Sequence, residues 1–414
     1  MASLTTTTAD AALKQLYKSA NFKESTYKRR PIIGLLPKDE GFFGRNMPIV
    51  NHYGRPQGVS ATFSDAVANT TSALLEDFLL TRVNEHSVAT VAGEALDAMS
   101  NDAGSFVTAM KVQVDGALKA LADRLETLAP RTGTGSIGVV GTYAGTPATS
   151  FTLENINDVH NFEVGMSLTH SVADGGALAD TAAAIVVTDV NRLTGVINTA
   201  ADIAASWTTC TDDYVYAEGD EAASGTYKVM SGLGAWVPAS DPISTAFFGV
   251  DRTADITRLG GVRHTATGLV KTAIMDGASI TSALGGAPDT ALMHHVKYRQ
   301  LCKELDSQTN YTKIPSRGNK GNDFARVSYT GVEVLTDAGP VACVAANKIP
   351  SGQIFLLEVA TWILASIGPM TKFNSPDGMR ILRQSSADGI EARLVFRGNM
   401  GCRQPGANCN ISHS

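Results

Sequence analysis

The stretch from Ala89 to Ala129, ATVAGEALDAMSNDAGSFVTAMKVQVDGALKALADRLETLA, carries the strongest helical signal in the chain. Phe106, Met110, Val114, Ala117 with Leu118, Leu121, Leu125 and Leu128 recur at three- and four-residue steps, which puts them on one helical face. Pro130 and Gly133 stop the pattern. Asn101 and Asp102 either interrupt it or cap a second helix, so the spacing predicts about 27 or about 40 residues, roughly 40 to 60 Å at ~1.5 Å per residue. Either length exceeds the average globular helix, and such an element spans a whole molecule.

On its N-terminal side the chain does not account for its own burial. Residues 46–91 contain no Lys and read as two long strands joined by an Asn/Thr/Ser-rich turn at Asn69 to Ser72. A long hairpin with little core of its own needs something external to pack on. Before it, Pro31, Gly34, Pro37, Gly41, Gly44 and Pro48 predict extended chain with turns rather than helix from Arg30 to Val50. Asp10 to Ser19 suits a helix too short to stand alone. Residues 1–38 hold seven basic against two acidic residues, a net of +5. Such an arm suits nucleic acid or, more commonly, a solvated face or a clamp onto an acidic neighbour.

On the C-terminal side the texture changes twice. From Thr132 to Trp236 the segments FTLENI, NFEVGMSLTH, AAIVVTDV, LTGVIN and TYKVMSGL read as strands between Gly, Asn and Asp turns. Residues 132–227 carry twelve acids against Arg192 alone, a net of -11. After Gly268 helices are expected at Leu269 to Leu284 and, behind Pro288 and Asp289, at Asp289 to Ser307. Strands follow at Val332 to Leu335, Val341 to Ala345, Ile354 to Val359 and Thr361 to Leu364, and a last one at EARLVFRGN before a Gly/Pro/Asn finish. The run Ile354 to Ile367 is shorter than the ~20 residues that span a bilayer and holds Glu358, so it is read as one or two buried strands.

Composition fits a globular α+β chain: 414 residues, 43% hydrophobic, 18% charged and a net charge of only -6. Five cysteines form no CxxC pair. Free thiols are favoured for Cys402 and Cys409 over a disulfide across their turn. No secretory signal pattern opens the sequence, which implies synthesis in the cytoplasm. Chemistry-bearing motifs are weak. Gly133, Gly135 and Gly138 satisfy GxGxxG, but a helix precedes them and a turn region is expected after them, the wrong context for a pyrophosphate. His294 and His295 have no second ligand pair at metal spacing and read as one surface and one half-buried histidine. Asp212, Asp213, Glu218, Asp220 and Glu221 lack the spacing of a calcium loop and read as a solvated acidic loop. No catalytic, cofactor-binding or metal residues are therefore expected.

The order of arm, coreless hairpin, very long helix and two-part body resembles the HK97-type major capsid proteins of tailed bacteriophages over nearly the whole chain. The residues that carry the likeness are YKRRPIIGLLPKDEGFFGR (Tyr27 to Arg45), the hairpin with the Gly93 to Leu121 stretch, FFGVDRTADITRLGGVR (Phe247 to Arg263) and GVEVLTDAGPVACVAANKIPSGQIFLLEVATWIL (Gly331 to Leu364). The resemblance implies an HK97-like α+β capsid fold. Its parts would be an N-terminal arm (1–36), an extended loop hairpin (37–88), a spine helix (89–131), a β-rich acidic insertion (132–240) in a peripheral domain (241–267), an axial domain (268–372) and a C-terminal return to the peripheral domain (373–414).

It also implies a structural protein, not an enzyme and without cofactors. Such a protein forms hexamers and pentamers of an icosahedral head around double-stranded DNA, which it contacts non-specifically at the inner face. The alternatives are an encapsulin-like nanocompartment shell and, more distantly, a soluble enzyme or binding protein with a β-rich domain. Ile49, Val50, Val59, Phe63, Val67, Leu74, Leu75, Phe78 and Leu79 of the hairpin would be buried over the next subunit. Arg29, Arg30, Phe42, Phe43, Arg45, Glu76, Asp77, Arg82, Arg252, Asp255 and Arg258 would make assembly contacts. Some relatives cross-link through a hairpin Lys, yet none occurs between Lys38 and Lys111, so covalent chain-mail is not expected. No fused scaffolding segment precedes the arm, which implies a separate scaffolding protein or none. Portal and decoration proteins are the other expected partners, the virion is the expected location, and no membrane is involved.

Overall fold

The computed structural model describes residues 30–94, 103–143, 148–179, 184–203, 207, 210–221, 227–306, 332–374, 379–384 and 387–414. The helix expected at Asp10 to Ser19, and Arg29, lie outside them. The long helix runs Ala103–Leu128, the shorter of the two expected lengths, with Leu121, Leu125 and Leu128 buried along its inner face. The described residues form three hydrophobic cores, and the buried leucines of this helix belong to the first.

The first core is built on one sheet whose long strand Gly389–Cys402 pairs with Val83–Ala92 along one edge and with Leu382–Arg383, Lys372–Phe373 and Trp362–Ser366 along the other. Its first ten residues pair antiparallel with Val83–Ala92, from Gly389 opposite Ala92 to Gly398 opposite Val83. Its end pairs with Trp362–Ser366. The second core lies under a mixed sheet in the order Val262–Ala266, Cys409–His413, Gln353–Leu357, Thr290–Met293, Gly339–Ala345, Val332–Thr336. Helices Val270–Ala283 and His295–Asp306 pack on it. Gly277 lets the first helix lie close to the sheet, because an added Cβ would come within 2.8 Å of Ile411 Cδ1 and push that side chain aside. The third core fills a closed barrel of Ser136–Tyr143, Ser150–Leu153, Ser167–Ser171, Ile185–Asn191, Val196–Thr199 and Tyr214–Ala217. Closure removes the exposed edges that short strands would otherwise present.

Several local expectations are corrected. Pro31–Leu35 is a short helix, since proline at the first helical position costs no hydrogen bond and Glu126 accepts the Ile32 and Ile33 N–H groups at 2.9 and 3.0 Å. The hairpin strands are Asn46–Gly54 and Leu74–Thr81, and the tip between them holds the helix Phe63–Ala68 rather than a tight turn. The barrel strand Ser136–Tyr143 starts where a turn region was expected, directly after Gly135. Gly135 has φ +97° and an added Cβ would lie 2.6 Å from the Asp220 carbonyl oxygen, so this glycine serves the barrel entrance rather than a phosphate. No strand forms in the described part of TYKVMSGL, and Tyr214–Ala217 closes the barrel instead.

The apolar run Ile354 to Ile367 is divided between the two sheets. Gln353–Leu357 belongs to the mixed sheet and Trp362–Ser366 to the long-strand sheet, with a single turn, Val359–Thr361, between them. The tail makes the same passage in the opposite direction, from Gly389–Cys402 to Cys409–His413. The two crossings are bonded to one another. Arg403 N–H donates to the Thr361 carbonyl (2.8 Å), and the buried Asn408 Oδ1 accepts from Glu358 N–H (2.9 Å) and Trp362 Nε1 (2.8 Å). Cys402 and Cys409 are buried free thiols at the two ends of this link. Among the described residues no helix is long and apolar enough to cross a membrane.

Candidate assembly surface

The hairpin has two halves with opposite environments. At its root Ile49, Phe78 and Leu80 are buried within the chain. The Phe78 ring meets the Trp236 ring edge-on at 5.1 Å and Phe247 at 6.4 Å, and Trp236 Nε1 donates to the Met400 carbonyl at 2.9 Å. Leu79 N–H donates to the Phe248 carbonyl (2.9 Å), Asn399 Nδ2 to Thr81 O (2.9 Å) and Arg258 Nη1 to Tyr53 O (2.6 Å). The expectation that Ile49 and Phe78 lie over a neighbour therefore fails: a distant aromatic cluster within the same chain buries them.

Beyond the root the alternation stops mattering. Leu74 and Leu75 are 50% and 56% exposed although neighbouring side chains on a strand face opposite ways, so neither face of the distal hairpin is covered. Val59 and Phe63 at the tip are 91% and 86% exposed, Val67 is exposed with them, and Val50 and Leu79 are exposed on the outer face of the root. Isolated apolar residues on a surface need no explanation, but this set on one projecting element marks an interaction site.

The residues expected at assembly contacts divide in the same way. Arg30 Nε pairs with Asp123 Oδ1 at 2.8 Å, which docks the start of the described chain on the long helix. Phe42 is buried, with the Arg82 guanidinium 5.6 Å from its ring centre. Arg252 lies over the Phe247 ring and donates to the Ala235 carbonyl at 2.8 Å. Asp255 Oδ1 accepts from Arg258 N–H (2.9 Å), and Arg258 holds the hairpin at Tyr53. Phe43, Arg45 and Asp77 are exposed and Glu76 is half-buried. The structure brings Arg252, Asp255 and Arg258 together at the hairpin root and leaves Phe43 and Arg45 at the surface.

Sequence reasoning missed the charges that couple the barrel to the rest. Arg124 on the long helix pairs with Glu85 Oε2 on the long-strand sheet and Asp220 Oδ1 at the barrel exit, each at 2.5 Å. Burial pushes the Glu85 and Asp220 carboxyls up, opposed by the Arg124 guanidinium. The acidic loop is thus not solvated throughout. Asp220 is in this triad, and the buried Asp213 meets His170 Nδ1 at 2.7 Å. Glu126 is buried beside the Pro31–Leu35 helix. The available signal was an acid in an inward slot: Glu85 in the alternating run VNEHSVATVA, and Glu126 beside the leucine stripe. Of the two histidines expected to be one surface and one half-buried, His294 is buried, and burial pushes its imidazole down to about 4. Lys348, buried between barrel and mixed sheet, is likewise held down to about 8 by desolvation.

No protein-family model matches the chain, and no curated protein matches it in sequence. Among solved structures, the capsid asymmetric unit of cyanophage A-1(L) is similar at 9% identity and a TM-score of 0.53, covering 95% of this chain and 96% of that one. The capsid of Myoviridae phage XM1 is similar at 8% identity, 97% and 98% coverage and a TM-score of 0.45. The SrpI encapsulin complex from Synechococcus elongatus is similar at 11% identity, 97% and 94% coverage and a TM-score of 0.41. The cyanophage likeness defines the fold: this chain has the α+β, HK97-like fold of a tailed-phage capsid protein.

Proposed function

We propose that the chain is the major capsid protein of a tailed bacteriophage, a structural rather than catalytic subunit. It assembles into hexamers and pentamers of an icosahedral head that encloses double-stranded DNA. One observation carries this reading. The hairpin is fixed at its root inside the chain while its distal half exposes apolar residues on both faces, the arrangement of an element whose missing core is a second copy of the same chain. Burial of these side chains over a neighbour contributes roughly 25 cal/mol for each Å² of apolar surface covered.

In this reading the sheets cut across the expected boundaries: Val262–Ala266 and Cys409–His413, expected in the peripheral segments, join the mixed sheet, and Trp362–Ser366, expected in the axial segment, joins the long-strand sheet. The long helix is the spine, the mixed sheet the axial domain, the long-strand sheet the peripheral domain and the barrel its insertion. Phe43, Arg45, Glu76 and Asp77 remain candidates for contact with a neighbour, and the basic arm for the inner wall and its DNA. A separate scaffolding protein, a portal and decoration proteins are the further partners, and the virion is the location. Expression of the full chain tests the proposal by sedimentation velocity and negative-stain microscopy. Megadalton shells or capsomer rings are expected, and a protein that remains monomeric at high concentration and under crowding overturns it. Particles filled with an enzyme rather than nucleic acid would favour a cellular compartment.

A further inference from the structure

Beside the root of the hairpin lies a pocket of about 510 Å³ lined by Arg45, Arg82 and Arg397 and by no acid. Strand register brings these arginines together. Asn46 pairs with Thr81, so Arg45 and Arg82 flank the last rung of the hairpin. In the long-strand sheet Asn84 lies directly opposite Arg397, and residues opposite one another share a face. His86, two residues on, joins that face and lines the pocket, whereas Glu85 between them points the other way and is paired with Arg124.

None of the three guanidinium groups meets a carboxylate among the described residues. Arg45 is exposed, and its side chain has no bonded partner among them. Arg82 lies 5.6 Å from the Phe42 ring centre, a contact that steadies the plane of the group and leaves its N–H donors unspent. Arg397 makes one long hydrogen bond, from Nη2 to Asn374 Oδ1 at 3.4 Å. A further cation stands at the edge, where Lys372 Nζ donates to the Ile367 carbonyl at 2.6 Å. Glu40 and Asp77, acids of the adjoining segments, do not line the pocket. Like charges gathered around one space repel, and a cleft of a single sign concentrates counter-ions.

The donor set favours phosphate over carboxylate. A carboxylate is planar and one arginine satisfies both its oxygens, whereas a phosphate presents oxygens in several directions. Here three arginines and the amides of Asn46 and Asn84 surround one space, which is roomier than a single phosphate. We propose that this pocket binds a chain of at least two phosphate groups, held by Arg45, Arg82 and Arg397. A free polyphosphate or nucleotide and the backbone of a nucleic acid present the same chemistry. The site lies within one chain, so binding is read whether or not the chain assembles.

Calorimetry on the purified full chain tests this with pyrophosphate, tricarballylate as a carboxylate of similar charge, and a short DNA duplex. Pyrophosphate is expected to bind at least about tenfold more tightly than tricarballylate. Arg45→Gln and Arg397→Gln are each expected to weaken phosphate binding about tenfold, and Arg403→Gln, an exposed arginine outside the pocket, to leave it unchanged. A duplex that displaces pyrophosphate and is weakened by the same two variants assigns the site to a nucleic-acid backbone. A duplex that leaves pyrophosphate in place assigns it to a small phosphate ligand. Absence of binding by both pyrophosphate and duplex overturns the proposal, as does binding that neither Arg45→Gln nor Arg397→Gln weakens. Tricarballylate bound as tightly as pyrophosphate also overturns it, and points to an acidic protein segment. Because Arg45 holds nothing within the chain, its variant keeps the test open even if Arg397→Gln fails to fold.

Discussion

The two halves of the hairpin are made of similar residues and meet opposite fates. Phe78 at the root and Phe63 at the tip belong to the same projecting element, yet Phe78 is fully buried and Phe63 is 86% exposed. What separates them is distant sequence. The root lies where residues 233–250 return past it, bringing Trp236 and Phe247 against Phe78, and nothing among the described residues returns past the tip. An apolar residue on an edge element therefore reports a need for burial, and only the rest of the chain decides whether that need is met internally.

The sharpest way to break the comparison is to remove its anchor. Phe78→Ala is expected to cost about 3–5 kcal/mol of folding stability, since the surrounding rings cannot collapse into the space, measured by denaturant unfolding. A smaller effect, again confined to the body, comes from acid. The folded pKa of His294 lies near 4 against an ordinary value of 6.5, lowered first by burial and then by His295 and His160. The unfolded chain therefore takes up the proton first, and stability is lost as pH falls from 6.5 through 4. The loss is on the order of 1–3 kcal/mol, and in His294→Gln this limb should flatten.

At the tip the pattern reverses. Phe63→Ser with Leu75→Asp is expected to change stability by less than about 0.5 kcal/mol while particles disappear from sedimentation profiles. A variant as destabilised as Phe78→Ala would show that the tip has a core within its own chain. The smallest effect is salt. Residues 55–73 contain only Arg55 and Asp65 as charged groups, so assembly through the tip should respond little to ionic strength between about 50 and 500 mM, followed by light scattering.

The fold was legible where local pattern suffices. The stripe ending in Leu121, Leu125 and Leu128 marks the long helix because its period is a property of the helix itself. The run Ile354 to Ile367 marks buried strands, but its length and hydrophobicity say nothing of the turn at Val359–Thr361 that sends its halves into different sheets. Tyr214–Ala217 was missed because its acidic flanks, Asp212, Asp213 and Glu218, look solvated when their partners are unknown. The candidate surface was half legible. Exposed apolar residues at the tip were expected, whereas the triad of Glu85, Arg124 and Asp220 brings together three segments far apart in sequence, and the inward slot of Glu85 signals a buried acid without naming its partners.

The paired crossings between the two sheets have a mechanical meaning. Gln353 to Ser366 and Gly398 to His413 run antiparallel past one another, one passing from the mixed sheet into the long-strand sheet and the other returning, with Asn408 bonded across both. Hydrogen bonds between antiparallel strands lie across the strand direction. A force that draws the two sheets apart along these strands must strain the bonds together in shear, whereas a hairpin pulled at its open end loses them one at a time. The junction is thus built as a lap joint, in which the load on either sheet passes to the other through two strands at once.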